Sequence, residues 1–157
     1  MSVLEEMERT RSTLLNVIDI LNEDALDHKG MIGDWSIKNC LAHIAGWEDW
    51  IVQTLQAGLS NGQIPDHLRS ALQDFNAFNA DQVAEREELT PDEQLTELHR
   101  VRTALMTIVG DLDEATLNKP QPWAGKDRSI AFYLNILPHH DEEHLADIQS
   151  AVQKLRQ

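Results

Sequence analysis

The sequence predicts an all-α fold, a four-helix bundle in one domain. Apolar residues recur at spacings of three and four along most of the chain, which is the period of a helix with one buried face. Strand-type alternation of apolar and polar residues is scarce over any four or more positions. The 157 residues suit a single hydrophobic core and contain no internal repeat, so we expect residues 1–157 to form one domain.

The first two helices are predicted from apolar stripes and one capping residue. A stripe from about Ser2 to Leu21 predicts helix one. After a loop punctuated by Gly30 and Gly33, the Ser36 hydroxyl is placed to cap helix two, which runs from Ile37 to about Ala57.

A less regular helical stretch is predicted between the second and third long helices. Gly58, Gly62 and Pro65 indicate a break, and apolar residues then recur from about Leu68 to Glu88. We interpret residues 66–88 as a crossover or an extra helix.

The last two long helices have clearer starting signals. Thr90 and Glu93 form a predicted capping box with Pro91 at the first helical position, and this third helix continues to the turn residues 118–122. The final pattern begins near Ser129 and reaches about Leu155, but Pro138 must kink or restart it. Four long helices and one crossover predict a four-helix bundle.

Composition and charge exclude several classes of protein. The chain is 41% hydrophobic and 25% charged, and no apolar run approaches the roughly 20 residues that span a bilayer, so no membrane partner is expected. The first residues lack the features of a secretory signal, which predicts a cytoplasmic protein. The single cysteine, Cys40, excludes an intrachain disulfide, and the net charge of −14 disfavours nucleic acid as a partner.

Three histidines form the candidate site. His140 and His144 are one helical turn apart, about 6 Å along the axis, and their row continues into the apolar stripe of the last helix. His43 lies beside the apolar stripe of helix two. Each alone could be a core histidine bonded to a backbone carbonyl, but three on two helices that a bundle can bring face to face favour metal ligation. His139 lies about 100° round the helix from His140, so we expect it to be exposed or to support the site from outside the ligand set.

Three neutral imidazoles with an open position make a site for Zn, Ni, Fe or Co, at which a bound water becomes a nucleophile near neutral pH. A zincin-type protease is not expected, because the 13 residues given after His144 contain no histidine to complete such a site.

Two segments carry a family resemblance. Residues 33–48 read GDWSIKNCLAHIAGWE, which resembles the W-S/T-x-K-x-x-L-A-H-I-x-x-W-E signature of the DinB/YfiT-like superfamily. The segment from His140 to Ile148 resembles the last-helix motif of the same superfamily.

The resemblance implies an antiparallel four-helix bundle with a long crossover and a divalent-metal site on His43, His140 and His144. It also implies Zn or Ni as the metal, a homodimer, and a small-molecule substrate. Relatives include enzymes that use a low-molecular-weight thiol, an isomerase, and proteins that protect cells from a genotoxin.

The remaining candidates are weaker. Glu48 and Asp141 are the only catalytic candidates, although solvent exposure is the favoured interpretation for both, as it is for Glu143. Cys40 is interpreted as a small buried hydrophobe rather than a ligand. The other expectations concern aromatic and histidine side chains: packing for Trp35, Trp47 and Trp50, a pocket mouth for Trp123, and ordinary surface positions for His28, His67 and His99.

These observations lead to three hypotheses. The first is a metalloenzyme in which the ion activates water or a thiol for hydrolysis or thiol transfer. The alternative is a non-catalytic protein that binds a small molecule, or protects against stress or a toxin, with the same bundle. A bundle with a vestigial site and an interaction role is the third.

Overall fold

The computed structural model describes residues 1–157, and its regular structure is helical, which confirms the predicted all-α class. The α-helices in chain order are α1 Val3–Ile18, α2 Glu23–Asp27, α3 Ile37–Asn61, α4 Asp66–Arg69, α5 Phe75–Glu85, α6 Pro91–Val109, α7 Glu114–Asn118, α8 Ile130–Leu134 and α9 Ile136–Leu155. None of these helices has the length and apolarity needed to cross a membrane.

The four long helices α1, α3, α6 and α9 correspond to the four predicted ones. Both predicted caps are present: the Ser36 hydroxyl accepts the backbone N–H of Asn39 at 3.0 Å, and the Thr90 hydroxyl accepts that of Glu93 at 3.1 Å. Each is part of a capping box, so the sequence defines the starts of α3 and α6.

Two helices are shorter than predicted because polar side chains start new ones. Helix α1 ends at Ile18 rather than near Leu21, and Asn22 then caps α2 by accepting the N–H of Ala25 at 2.8 Å. Similarly, α6 ends at Val109, and Asp113 caps the separate helix α7. Side chains of Asn and Asp accept hydrogen bonds from nearby backbone N–H groups and so start a new helix. Apolar periodicity does not reveal these starts.

Helix α3 is longer than predicted, because Gly58 lies inside it and does not end it. A Cβ atom at position 58 would lie 2.3 Å from the ring of Trp123, so the glycine makes room for the indole. The helix ends instead at Gly62, whose φ of +73° is the left-handed conformation typical of a helix C-cap.

The crossover from α3 to α6 is broken rather than continuous. It contains α4, a short 3-10 turn at Ser70–Leu72, and then α5, for which Asp74 provides the cap. Helix α5 packs on α3, so the crossover covers one side of the helix that carries His43.

The predicted interruption by Pro138 is confirmed as a restart. Helix α8 ends at Leu134, and α9 begins at Ile136. Pro138 is then the third residue of α9, where a backbone N–H has no partner within the helix, so its ring is tolerated.

Two apolar clusters reveal the directions of the long helices. We call them the Trp50 cluster, which includes Met7, Leu105 and Leu137, and the Ile44 cluster, which includes Leu14, Leu98 and Ile148. Helices α1 and α9 run from the Trp50 cluster to the Ile44 cluster, whereas α3 and α6 run the opposite way. Because α3 and α6 pack together and point the same way, a crossover must return the chain between them.

Candidate metal centre

The three predicted histidines come together on two helices. His43 lies in the second turn of α3, and His140 and His144 are one turn apart on α9. Their Nε2 atoms form a triangle in which each of the three separations is 3.0 Å. The bundle therefore brings together the three residues that the sequence singled out.

The triangle fits the donor set of one divalent ion. Three nitrogens that each bind a tetrahedral ion at about 2.0–2.1 Å lie roughly 3.3 Å apart, within a few tenths of an ångström of this arrangement. Without a cation, three imidazole nitrogens directed at one point would place lone pairs against each other. The three histidines thus form a group that could hold a metal ion.

The outer nitrogens of the three rings have different environments. Nδ1 of His144 lies 3.0 Å from Oδ2 of Asp147, a contact that fixes the ring and favours a free lone pair on Nε2. Nδ1 of His43 and of His140 are buried without a hydrogen-bond partner. Trp35 packs against His43 with ring centroids 5.1 Å apart. Asp147 is therefore the one acidic group that orients a ligand of the site.

Burial keeps two of the imidazoles neutral. It lowers the pKa of His43 to about 4, and the neighbouring His144 adds to the effect. It also lowers the pKa of His140 to about 3, with contributions from His144 and His43. Both rings are therefore in the unprotonated form that ligates metals at neutral pH.

A cavity of about 820 Å³ opens beside the triangle. Its walls are mostly apolar and aromatic, with a few polar groups, which is the character of a small-molecule site. The residues that line it are Trp35, His43, Trp47, Trp50, Ile51, Leu72, Phe75, Asn79, Arg128, Phe132, Tyr133, Ile136, His140, Glu143 and His144.

The structure contradicts the expected exposure of Glu48 and Asp141. Their side chains are 0% and 1% exposed, and neither lines the cavity. Arg11 binds both carboxylates, at 3.1 Å to Glu48 and 2.9 Å to Asp141, and Arg102 binds Glu48 at 2.8 Å. We call Arg11, Glu48, Arg102 and Asp141 the ionic cluster.

The ionic cluster is electrically balanced and joins all four long helices. Burial lowers the pKa of Arg11, but the attraction of Glu48 and Asp141 outweighs burial and raises it. Two guanidinium groups therefore neutralise two carboxylates inside the bundle. Glu48 and Asp141 are thus paired with arginines inside the bundle, and neither carboxylate reaches the cavity wall.

The sequence contained a signal for the ionic cluster. Arg102 interrupts the apolar stripe of α6, and Arg11 occupies the gap between Met7 and Leu14 in the stripe of α1. A cation on a core-facing stripe requires a buried anion. Glu48 lies five residues after His43, which places the two on different sides of one helix and is the reason for its expected exposure. Arg11 and Arg102 on other helices bury it instead.

The aromatic predictions were correct only in part. Trp50 is buried in the core as expected, but Trp35, Trp47 and Trp50 all line the cavity as well. Trp123, expected at the pocket mouth, does not line the cavity. It packs over Gly58 and stacks on Tyr133 at 6.2 Å, because the glycine leaves a recess for it in α3.

The other single-residue predictions are confirmed. Cys40 is fully buried in the Ile44 cluster, and burial raises the pKa of its thiol. His139 and Glu143 are exposed, and so are the three remaining histidines, His28, His67 and His99. Glu143 nevertheless lines the cavity as its only carboxylate.

Sequence reasoning missed several cavity residues outside the motifs. Asn79 comes from α5, where its side-chain oxygen accepts the indole N–H of Trp47 at 2.7 Å, and Arg128 precedes α8. Neither lies near a histidine in the sequence, so no local spacing could reveal it.

One of three comparisons with known proteins identifies a family. The sequence model of the DinB superfamily matches residues 6–148, which include all three histidines and the ionic cluster. No curated protein and no solved structure gives a significant match to the chain.

Proposed function

Because the chain belongs to the DinB superfamily, we propose that it is a divalent-metal-dependent enzyme that acts on a small molecule. His43, His140 and His144 hold the ion, and the reaction is a hydrolysis or a thiol transfer. The observation that carries the proposal is the convergence of three Nε2 atoms, 3.0 Å apart, at the wall of a cavity of about 820 Å³.

The ion of this proposal is Zn or Ni, since imidazole donors suit both metals. Bound there, it would supply Lewis acidity, which lowers the pKa of a water or a low-molecular-weight thiol and makes it a nucleophile near neutral pH. Either nucleophile has access to the site from the cavity, which all three histidines line.

Residues of the chain have separate roles in this proposal. Glu143 is the only carboxylate that lines the cavity with the three histidines, so it is the group that would accept the proton that the water or thiol releases. Asp147 orients His144 through the 3.0 Å contact with Nδ1. The apolar and aromatic walls would hold the apolar part of the small molecule.

A non-catalytic binding protein is the second candidate. It is favoured by the burial of Glu48 and Asp141, which leaves Glu143 as the one carboxylate available at the cavity. Turnover that a chelator abolishes would distinguish the enzyme from this alternative. Homodimer assembly and a cytoplasmic location stay predictions.

Metal content per chain tests the site directly. Untagged protein purified without added metal is analysed by plasma mass spectrometry, as wild type and as His43→Ala and His144→Ala. We expect about one equivalent in wild type and little in either variant, with unchanged helical circular dichroism. His139→Ala is the matched control, because it removes an exposed imidazole next to His140, and it should keep the metal.

Two results would overturn the metal site. One is a wild-type protein that is free of metal and takes up neither Zn nor Ni. The other is retention of stoichiometric metal by His43→Ala. If the metal is present, substrate screens with that ion, with and without a thiol, test the reaction class.

A further inference from the structure

The cavity contains one basic side chain, Arg128, in an otherwise strongly acidic chain. The chain has 13 lysines and arginines against 27 acidic residues, so its overall field repels anions. No other lysine or arginine lines the cavity. An anion inside it would therefore have to be recognised locally.

The guanidinium of Arg128 is available for a ligand. It lies over the ring of Phe132, with its Cζ atom 4.7 Å from the ring centroid, and it forms no ion pair with a carboxylate of the chain. Its polar neighbour in the cavity is Tyr133, whose hydroxyl interacts with the guanidinium. A guanidinium carries five N–H donors, so donors remain for a ligand. Two N–H groups on one edge of a guanidinium can donate to both oxygens of a carboxylate.

The mouth of the cavity exposes large apolar side chains. Phe75 is 56% exposed, and Phe132 and Ile136 are each 42% exposed. Deeper in the cavity, Trp47 packs against Phe75 with ring centroids 5.7 Å apart. Exposed apolar side chains gathered round one opening are typical of a surface that an apolar ligand covers.

We propose that the substrate is a carboxylic acid with an aromatic or aliphatic body, whose carboxylate binds Arg128 while the body lies against Phe75, Phe132 and Trp47. This inference rests on the proposed function, since Arg128 and the three histidines line the same cavity. Arg128 and a divalent ion would together favour an anion over a cation.

Three probes of similar shape and different charge test the inference: 3-phenylpropanoate, 3-phenylpropanamide and 3-phenylpropylamine. Affinity is measured by quenching of tryptophan fluorescence and by calorimetry. For the wild type we expect the carboxylate to bind about tenfold or more tightly than the amide, and the amine to bind most weakly. Arg128→Gln should abolish the preference for the carboxylate over the amide.

Lys126→Gln is the matched control. It removes the same charge from the same loop, but Lys126 does not line the cavity, so the preference should persist. If both variants lost the preference for the carboxylate equally, only the overall field of the protein would attract the anion, and the inference would be wrong. Equal binding of the three probes, tightest binding of the amine, or no binding at millimolar concentration would also overturn it.

The same titrations in EDTA separate this inference from the metal proposal. A preference that survives chelation and depends on Arg128 supports the inference whether or not the protein holds metal. The other outcome is a preference that disappears when the metal is removed but is unchanged in Arg128→Gln. It would mean that the ion itself binds the carboxylate, which contradicts the assignment to Arg128. Metal content, measured independently, decides the proposed function.

Discussion

Arg11 on α1 holds Asp141 on α9 by two hydrogen bonds, from Nε to Oδ2 at 2.9 Å and from a terminal nitrogen to Oδ1 at 3.2 Å. Asp141 is the residue next to His140, so this pair fixes the segment of α9 that presents a ligand of the candidate metal centre. Arg11 also reaches Glu48, on the helix that carries His43. One guanidinium thus connects both helices of the site.

Loss of the Arg11 guanidinium should be strongly destabilising. Arg11→Met leaves two buried carboxylates short of a cation, and we expect the free energy of unfolding in urea to fall by about 3–5 kcal/mol. Arg9→Met is the control on the same helix, since Arg9 pairs with Glu6 and Glu142 at the surface, where ion pairs contribute little, and its loss should lower the free energy of unfolding far less. A similar decrease in the free energy of unfolding for Arg11→Met and Arg9→Met would contradict a structural role for the ionic cluster.

Asp147→Asn should weaken metal binding and leave the fold intact. Its carboxylate is half-exposed and contacts Nδ1 of His144, so its loss leaves that ring poorly oriented. We expect zinc affinity, measured by competition with a chelating dye, to fall about 10–100-fold. Glu142→Gln removes a charge from the exposed side of α9 and should bind zinc as the wild type does. An unchanged affinity in Asp147→Asn would show that the contact does not support ligation.

The stability of the metal-free protein should fall in mild acid. Burial lowers the pKa of His43 from 6.5 to about 4, so the unfolded chain takes up a proton more readily than the folded one. The contribution of His43 is complete above about pH 6.5 and is lost as the pH falls towards 4, which amounts to on the order of 3 kcal/mol. Urea unfolding in EDTA from pH 7 to pH 4 measures it.

His43→Gln should show a shallower dependence over that range, because glutamine does not titrate. His99→Gln removes an exposed histidine and should reproduce the wild-type curve. The prediction fails if His43→Gln and the wild type lose stability in parallel.

Gly58→Ala should destabilise the protein, although alanine is the better helix former. Its Cβ would lie 2.3 Å from the ring of Trp123, and relief of that overlap costs about 1–3 kcal/mol. In a Trp123→Ala background the obstacle is gone, and the same substitution should stabilise α3 by up to about 1 kcal/mol. Thermal unfolding of the wild type, the two single variants and the double variant shows whether Gly58→Ala raises or lowers the stability in each background. If its effect had the same sign in both backgrounds, that would be evidence against this packing.

The sequence predicted the parts of the site that repeat at helical spacing. His140 and His144 share one face of α9, and the Ser36 cap defines the start of the helix that carries His43, so the triad followed from local pattern and pairing of helices. Pro138 predicted a kink or a restart of the last helix, and the structure shows a restart at Ile136. Local rules were sufficient for the cap and for the spacing of His140 and His144, because each depends on residues within one turn of a helix; the meeting of His43 with this pair depended on the bundle.

Features created by distant partners were not predicted. Glu48 and Asp141 are buried only because Arg11 and Arg102 reach them from other helices. Gly58 was interpreted as a helix break because its partner, Trp123, is 65 positions away in the chain. Arg128 enters the cavity from a loop that carries no motif. In each case the deciding contact joins separate elements.

The ionic cluster also determines how the bundle helices are aligned along their axes. Each long helix contributes one charged side chain to the cluster, and apolar residues lie on either side of that position. If one helix slipped by a turn, about 5.4 Å, its charge would enter aliphatic surroundings and its former partners would lose their counter-ion. The register of all four helices is therefore specified together. Since His43 is five residues from Glu48 and His140 adjoins Asp141, that shared register also sets the level at which the three imidazoles meet.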